Sequence, residues 1–464
     1  MFGTICAQIG SDADYDERVR RLDILQRVLD GRIYDVLPYE FHEERSLGGE
    51  YIPLRQRRPS VRYPLARIVV DHSTSLLFGD GHFPTLECAD AEVRSALAEI
   101  VQDCNLNAVM LDAARAGSVG STALWLRVLK GRLFVKALDT KFLTPVWDPE
   151  EPDRLLRVVE RYKVGGRLLA TRGYDECDPE GIYWFIREWD ADTETWYQPV
   201  PLGVVSEAPQ IDTVRSVRHG LGFVPMVWIR NLPGGDEIDG ACTFASAIET
   251  GIEIDYQLSQ AGRGLKYSSD PMLLIREPTA LDGELIRGGG NALVVGASGD
   301  AKMLEIGGSA SAAVIEYVRT LREYALEGMH GNRASADRLS AAQSGRALEL
   351  MNQGLVWLAD RLRVSYGSGL LQLATMIVSA STQRRLKVGA RILAPLDTTV
   401  RLTLLWPRWT PPTADDRGRD AQTLQTLTQA SLLSRETAIK SIADVYGIAN
   451  VATEMAQIKE EDTA

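Results

Sequence analysis

The stretch Ala114–Leu129, ARAGSVGSTALWLRVL, decides how the rest of the chain is read. Its centre, GSVGST, has the glycine-rich look of a phosphate-binding loop. Such a loop follows a buried strand and opens a helix. Its lysine reaches the terminal phosphates while backbone N–H groups cradle the rest. Here no lysine stands beside Gly117, Gly120, Ser121 or Thr122. The order is also reversed. The upstream segment AEVRSALAEIVQDCNLNAVMLDAARAG carries Val93, Leu97, Ile100, Val101 and Leu106 at helical spacing. The downstream segment TALWLRVLKGRLFVKAL alternates as a hairpin turning at Lys130-Gly131. Glycines that follow a helix and precede a strand read as a helix C-cap, Gly117, and a turn residue, Gly120. No other stretch offers a nucleotide fingerprint, so the sequence predicts no enzyme, no catalytic residue and no cofactor.

Composition frames the rest. A chain of 464 residues exceeds one ordinary domain, and 45% hydrophobic with 25% charged residues is globular composition with enough apolar surface for a core. A net charge of −12 argues against tight DNA binding, which needs clustered Lys and Arg. The five cysteines (Cys6, Cys88, Cys104, Cys177, Cys242) form no CxxC and read as reduced thiols. The five histidines lack metal-ligand spacing; His72 and His82 near Asp71 and Asp80 are a weak metal signal, and no metal is expected. The N-terminus turns acidic at once, unlike a signal peptide. The uncharged run Val364 to Gln383 holds five Ser/Thr before Thr382, Gln372 and two glycines, and reads as a buried helix rather than a membrane span.

Along the chain, residues 1–60 are charged, with a helical start at Val19, Leu22, Leu25, Val28 and Leu29. Residues 61–115 read as helical with a break at FGDGHFP, and 119–230 as β-rich, with short runs such as LRVVERYKV and IYWFIREW. Helical spacing returns at 242–268 (Phe244, Ile248, Ile252, Tyr256). A small β-rich insert follows at 271–306, with MLLI, ALVVG and AKMLEIG as strands and RGGGN as a turn. Residues 309–329 are helical again, with Val314, Tyr317, Val318, Leu321 and Leu326 on one face. After HGNRASADRLSAAQSG comes the longest helix, about 343–382, with Leu348, Met351, Leu355, Leu358, Leu362, Tyr366, Leu370, Leu373 and Ile377 three or four apart. Such a rod is about 60 Å long, and its interior Gly354, Gly367 and Gly369 predict a kink. A strand TVRLTLLW (399–406), a Pro-marked break, a capping box from Thr413 to Asp416 and two or three short helices complete the chain.

This order resembles that of the portal proteins of tailed bacteriophages. RYPLARIVVDHSTSLLFGDGHF resembles the family's entry segment, HGLGFVPMVWIRN the strand before its first stem helix, and SDPMLLI the entry to its clip. SGRALELMNQGL resembles the start of its long helix, and LLSRETAIKSIADVYGIANVATEMAQIKEE its C-terminal segment. The resemblance runs from about residue 60 to the end; residues 1–60 match least.

The resemblance implies an α+β, portal-type fold. Its parts would be an α/β wing (1–241, with a return strand in 383–408), two stem helices (242–270 and 309–329) and a β-rich clip (271–308). A tunnel loop (330–343), the long helix (344–382) and a helical crown (409–464) would complete it. It also implies a dodecameric ring at a capsid vertex of the virion, assembled in the host cytoplasm. Double-stranded DNA would pass through the axial channel, held weakly and without sequence preference. Terminase large subunit, head–tail adaptor, major capsid protein and scaffold are the implied partners, with no membrane. Another ring-forming head–tail connector or minor capsid protein stays open as the alternative.

On this mapping Arg333 and Arg338 are DNA-channel candidates, with Asn332, Ser335 and Ser340 as uncharged phosphate donors; an ordinary solvated loop is the competing reading. The basic cluster RQRRP (55–59) reads as a solvated or subunit-pairing face. Trp147, Trp184, Trp189, Trp196 and Trp228 read as core or interface, because their β runs lack basic interleaving. The Gly288–Gly290 run reads as a hairpin turn, with no helix after it to bind phosphate.

Overall fold

The computed structural model describes residues 1–10, 12–203, 209–268, 272–276, 300–304, 309–330, 345–389, 391–409, 414–446, 448 and 451–463. Among these, the helices are α1 (Phe2–Gln8), α2 (Glu17–Leu29), α3 (Leu65–Phe78), α4 (Ala91–Asp103), α5 (Leu106–Gly117) and α6 (Gly166–Thr171). They continue as α7 (Ile248–Ser268), α8 (Ser309–Gly328), α9 (Gly345–Gln383), α10 (Ala414–Gln429), α11 (Arg435–Tyr446) and α12 (Val451–Thr463).

The hairpin predicted beyond the glycines is present. Strand Ser121–Leu129 pairs antiparallel with Arg132–Asp139, from Thr122 opposite Asp139 to Leu129 opposite Arg132. Lys130 and Gly131 turn it with φ of 52° and 86°, and two consecutive positive φ angles are what a two-residue turn matching strand twist requires. The hairpin lies at the centre of a five-stranded sheet, in the order Met226–Arg230, Ser121–Leu129, Arg132–Asp139, Lys387–Val388, Arg391–Ile392. Helices α3, α5 and α9 pack together and against this sheet, forming the main core around Leu77, Met110, Tyr366, Leu370 and Leu373.

A second, antiparallel sheet runs Val217–Arg218, Thr193–Trp196, Ile182–Trp189, Leu155–Gly165, Leu143–Trp147, with Val200–Pro201 on the side of Ile182–Trp189. Ala123 and Met226 of the first sheet meet Leu143, Val158 and Trp189 of the second in a smaller core. The result is a mixed helix and sheet molecule.

Residues 1–60, the least placeable from sequence, are built into the main core. Asp16 caps α2 by accepting from the Val19 N–H at 2.9 Å, and Leu22, Ile24 and Leu29 are buried. One expectation needs correction. The continuous helix read over 91–117 is two helices, because Asn105 adopts a left-handed φ of 49°, a conformation Asn tolerates better than most residues. The block read as β-rich holds its strands and one short helix, α6. Helix α9 runs unbroken through its glycines. Gly367 and Gly369 are there for close approach: a Cβ at Gly369 would lie 2.4 Å from Ile229 Cδ1, and one at Gly367 3.2 Å from Trp406. No described helix is long and apolar enough to cross a membrane.

Candidate functional site

The five channel candidates, Arg333, Arg338, Asn332, Ser335 and Ser340, lie outside the described residues, as do Gly288–Gly290, the ALVVG strand and Thr413. What the structure describes is the frame from which residues 331–344 spring. Helix α7 packs along α8. Between them, Met272–Arg276 and Asp300–Leu304 pair antiparallel. Helix α8 ends beside buried Met329 and His330, whose φ is 54°, and α9 begins at Gly345. One end of the segment 331–344 therefore adjoins the helix pair. The other is rooted in a 39-residue helix whose middle crosses the main core.

At that crossing stands the GSVGST stretch, and its glycines serve packing. Gly117 is the last residue of α5, not its C-cap. A Cβ there would come within 2.3 Å of Tyr366 Oη on α9. Gly120 is pressed against Leu22 and Asp239, and its carbonyl accepts from the N–H groups of Asn231 and Gly240. The Ser118 carbonyl accepts from the Thr243 N–H. Tyr366 donates to Asn231 Oδ1 at 3.2 Å, and burial pushes its phenol well above the ordinary range. These polar groups are consumed within the fold, which leaves no cradle for a phosphate.

Beside them Asp239, 2% exposed, accepts four hydrogen bonds: two from Arg18, at 2.8 and 2.9 Å, one from Arg21 at 2.8 Å and one from Ser121 Oγ. Arg18 also donates to the carbonyls of Thr140 and Leu143. This network ties α2 to the hairpin and to the loop that leads into α7.

The middle of α7 is held by a strap, residues 57–63. Tyr256 Oη donates to the Arg57 carbonyl at 2.8 Å, the Val61 N–H donates to Ser259 Oγ at 3.0 Å, and the Tyr63 N–H donates to Asp255 Oδ1 at 2.6 Å. Tyr34 Oη donates to Asp255 Oδ2 at 2.7 Å. Burial drives the Asp255 carboxyl up to about 6, and burial beside that carboxylate pushes the Tyr34 phenol up as well.

The folded carboxyl thus binds its proton more tightly than an unfolded one. The resulting stability is complete below about pH 4 and is lost as pH rises through 6. Two units correspond to about 3 kcal/mol. The Asp255→Asn variant removes the charge: its oxygen still accepts from the Tyr63 N–H, and its N–H donates to a Tyr34 hydroxyl turned to accept, as a protonated Asp255 would. It is expected to match the wild type in urea denaturation at pH 4.5 and to exceed it at pH 8. An equal difference at both pH values would show that Asp255 does not titrate there.

The RQRRP cluster is not a solvated face. Arg57 is 1% exposed and donates Nε and Nη2 to the Ile52 carbonyl, while Arg58 donates to the Leu37 carbonyl. Its arginines hold the strap's own turn, and Arg55 alone of the three is exposed. All five cysteines are free thiols; burial raises Cys104 to about 11 and Cys242 to about 12, so both stay protonated and unreactive at neutral pH. Trp184 and Trp189 are buried in the core and Trp147, Trp196 and Trp228 are half-buried, but arginines do interleave with them, both along a strand and across strands. The Arg187 guanidinium lies 4.2 Å from the ring centre of Trp189 and 4.9 Å from that of Trp196.

From residue 11 to residue 464 the chain matches the family model described as "Phage portal protein, SPP1 Gp6-like". A helix, paired strands, a second helix and a long helix, carried on a mixed helix and sheet body, here make up a structural protein of a phage particle, of the portal or connector class. Within that class the chain belongs to the SPP1 Gp6-like portal family, whose place is the capsid vertex of the virion, as a ring oligomer. No curated protein sequence matches it. A solved structure described as "Neck of native GTA particle computed with C12 symmetry" aligns over 82% of this chain and 88% of its own, at 10% identity and a TM-score of 0.41.

Proposed function

We propose that the chain forms a dodecameric ring whose axial channel carries double-stranded DNA during genome packaging and ejection. It docks first the terminase large subunit and then a head–tail adaptor. In this reading residues 1–241 and 383–408 are the wing, 242–270 and 309–329 the stem, 271–308 the clip, 330–343 the tunnel loop and 409–464 the crown. What carries it is the family match over residues 11–464, joined to the packed α7–α8 pair and the 39-residue helix α9. Uncovered apolar side chains support the ring: Ile315, Tyr317 and Tyr324 on α8 and Trp357 and Val364 on α9 are 43–74% exposed in the single chain. Tyr317, placed by the sequence on one helix face with Val318 and Leu321, belongs to this uncovered set.

The acidity of the chain fits a conduit. A channel lined by many unpaired cations would grip DNA through salt-dependent phosphate contacts and stall it. A net charge of −12 repels the polyanion toward the axis, leaving a few basic groups such as Arg333 and Arg338 to make weak, exchangeable contacts. Negative-stain electron microscopy of the purified chain is expected to show twelvefold rings with a central hole. Compact monomers across salt and concentration would sink the reading. Charge reversal at both arginines is expected to leave the rings intact and lower DNA packaged per particle about tenfold. Unchanged packaging would remove the arginines from the channel.

A further inference from the structure

A groove of about 1050 Å³ opens beside α9. Val364, Ser368, Leu371 and Thr375 of α9 stand in its wall, and the segment Glu151–Leu156 and the strand Met226–Arg230 also line it. The four α9 residues are three and four apart, so they share one side of the helix. Leu362, Tyr366, Leu370 and Leu373, which α9 buries in the main core, share the opposite side. Val364 is 74% exposed, and Ser368, Gln372 and Thr375 are exposed beside it.

Two independent features mark this surface as one that another protein covers. The first is charge. From Val364 to Gln383 the helix carries no Asp, Glu, Lys or Arg. A helix side that stays in water normally carries charged groups, and a helix lacking them all round is buried on every side. Helix α9 is not apolar enough to cross a membrane, so a second protein surface is the cover its composition calls for. The second feature is a sheet edge. Met226–Arg230 is the end strand of its sheet and pairs only with Ser121–Leu129 among the described residues. Such an edge is a template for pairing unless it is covered. The groove brings the uncharged helix side and the sheet edge together.

The chemistry selects the occupant. The charged residues of the lining are Glu151, Asp153, Arg154 and Arg230, and Arg154 is already paired with Glu151 at 3.4 Å. That is no row of cations for a nucleic acid. Partners that dock and leave use polar, reversible surfaces, whereas permanent interfaces between copies of one chain are more apolar and poor in charge. In a ring every subunit has one neighbour on each flank, and closure by rotation joins two different faces of the same chain. We propose that this groove is the socket of the ring joint and receives a different face of the neighbouring copy, which lies along α9 and the Met226–Arg230 edge. The assignment rests on the chain forming a ring.

The test uses the full chain. Val364→Arg puts a guanidinium on the socket wall, where a free subunit leaves it in water and a joined one buries it. Assembly is followed by mass photometry across subunit concentration, and circular dichroism reports the fold. The wild type is expected to form rings, and Val364→Arg to raise the concentration for half-assembly about tenfold or more, because a buried charge without a partner is costly. A photo-crosslinking p-benzoylphenylalanine at position 375 is a second measurement that does not depend on that variant. It is expected to join two copies within the ring, with the captured residues on another face of the chain. Rings that assemble equally well with Val364→Arg overturn the socket, as do rings in which position 375 captures no neighbour. Capture of a different protein by position 375 in assembled particles, with ring formation unchanged, would make that protein the occupant instead. Wild-type monomers at every concentration would overturn the ring itself and the socket with it, a result distinct from intact rings that ignore the substitution.

Discussion

Replacing Asp239 by alanine is expected to lower folding stability by about 3 kcal/mol, far more than removing a surface carboxylate. The reason is what remains behind. The Arg18 side chain is 11% exposed, and without Asp239 its guanidinium keeps only the two carbonyls of Thr140 and Leu143. A buried charge without a counter-charge is costly because the interior solvates it poorly. Ser121 Oγ loses its carboxylate acceptor in the same change and retains only the Thr140 hydroxyl, 2.8 Å away. Glu99→Ala is the comparison: its ion pair with Arg391 is 43% and 56% exposed, and such pairs contribute about 0.2–1 kcal/mol. Urea denaturation of both variants decides the matter. Equal midpoint shifts would mean that the Asp239 network is as well solvated as a surface bridge. High salt is expected to weaken the Arg391 pair and leave the Asp239 network nearly unchanged.

The contrast marks what was legible in the sequence. The hairpin was, because Lys130-Gly131 between alternating apolar runs specifies a turn locally, and both φ angles are positive as such a turn needs. Helix α9 was, because its apolar repeat persists from Leu348 to Ile377, about eight turns. The break at Asn105 was not: the spacing from Val93 through Leu106 continues across it, and one left-handed residue leaves no trace in a periodicity. Nor was the burial of Arg57. A basic run reads as solvated until the fold brings the Ile52 carbonyl to its guanidinium, with the Tyr51 ring 5.1 Å away. Arg187 beside Trp189 was visible in the run IYWFIREW, but its meeting with Trp125 and Trp196 was hidden for another reason. It arises between strands, and register is fixed by pairing partners that no single run contains. The family was legible in the order of elements. The channel candidates themselves rest on the proposed mapping alone.

The second large effect concerns Gly117, and it is a coupling rather than a single loss. In the wild type an alanine at 117 would place its Cβ 2.3 Å from Tyr366 Oη and 3.2 Å from Thr122 Cγ2. Tyr366 is fully buried, so its ring cannot swing away without disturbing α9. Overpacking of this kind costs about 1–3 kcal/mol. Two further terms have opposite signs. Alanine is the better helix former by about 1 kcal/mol, and residue 117 is helical. Tyr366→Phe alone is expected to cost about 1–2 kcal/mol, because Asn231 Oδ1 loses the donor it has at 3.2 Å.

Removing the hydroxyl also removes the atom that the new methyl would strike. The double variant should therefore be more stable than the sum of its parts predicts, by about 1–2 kcal/mol. Denaturation of the two single variants and the double variant measures this coupling directly. Additivity within about 0.5 kcal/mol would mean that the helices separate elsewhere and that Gly117 is required for some reason other than Tyr366. A coupling of the expected sign would establish that GSVGST owes its first glycine to the closeness of α5 and α9. The stretch that looks most like a nucleotide site would then be the joint that sets where the long helix lies.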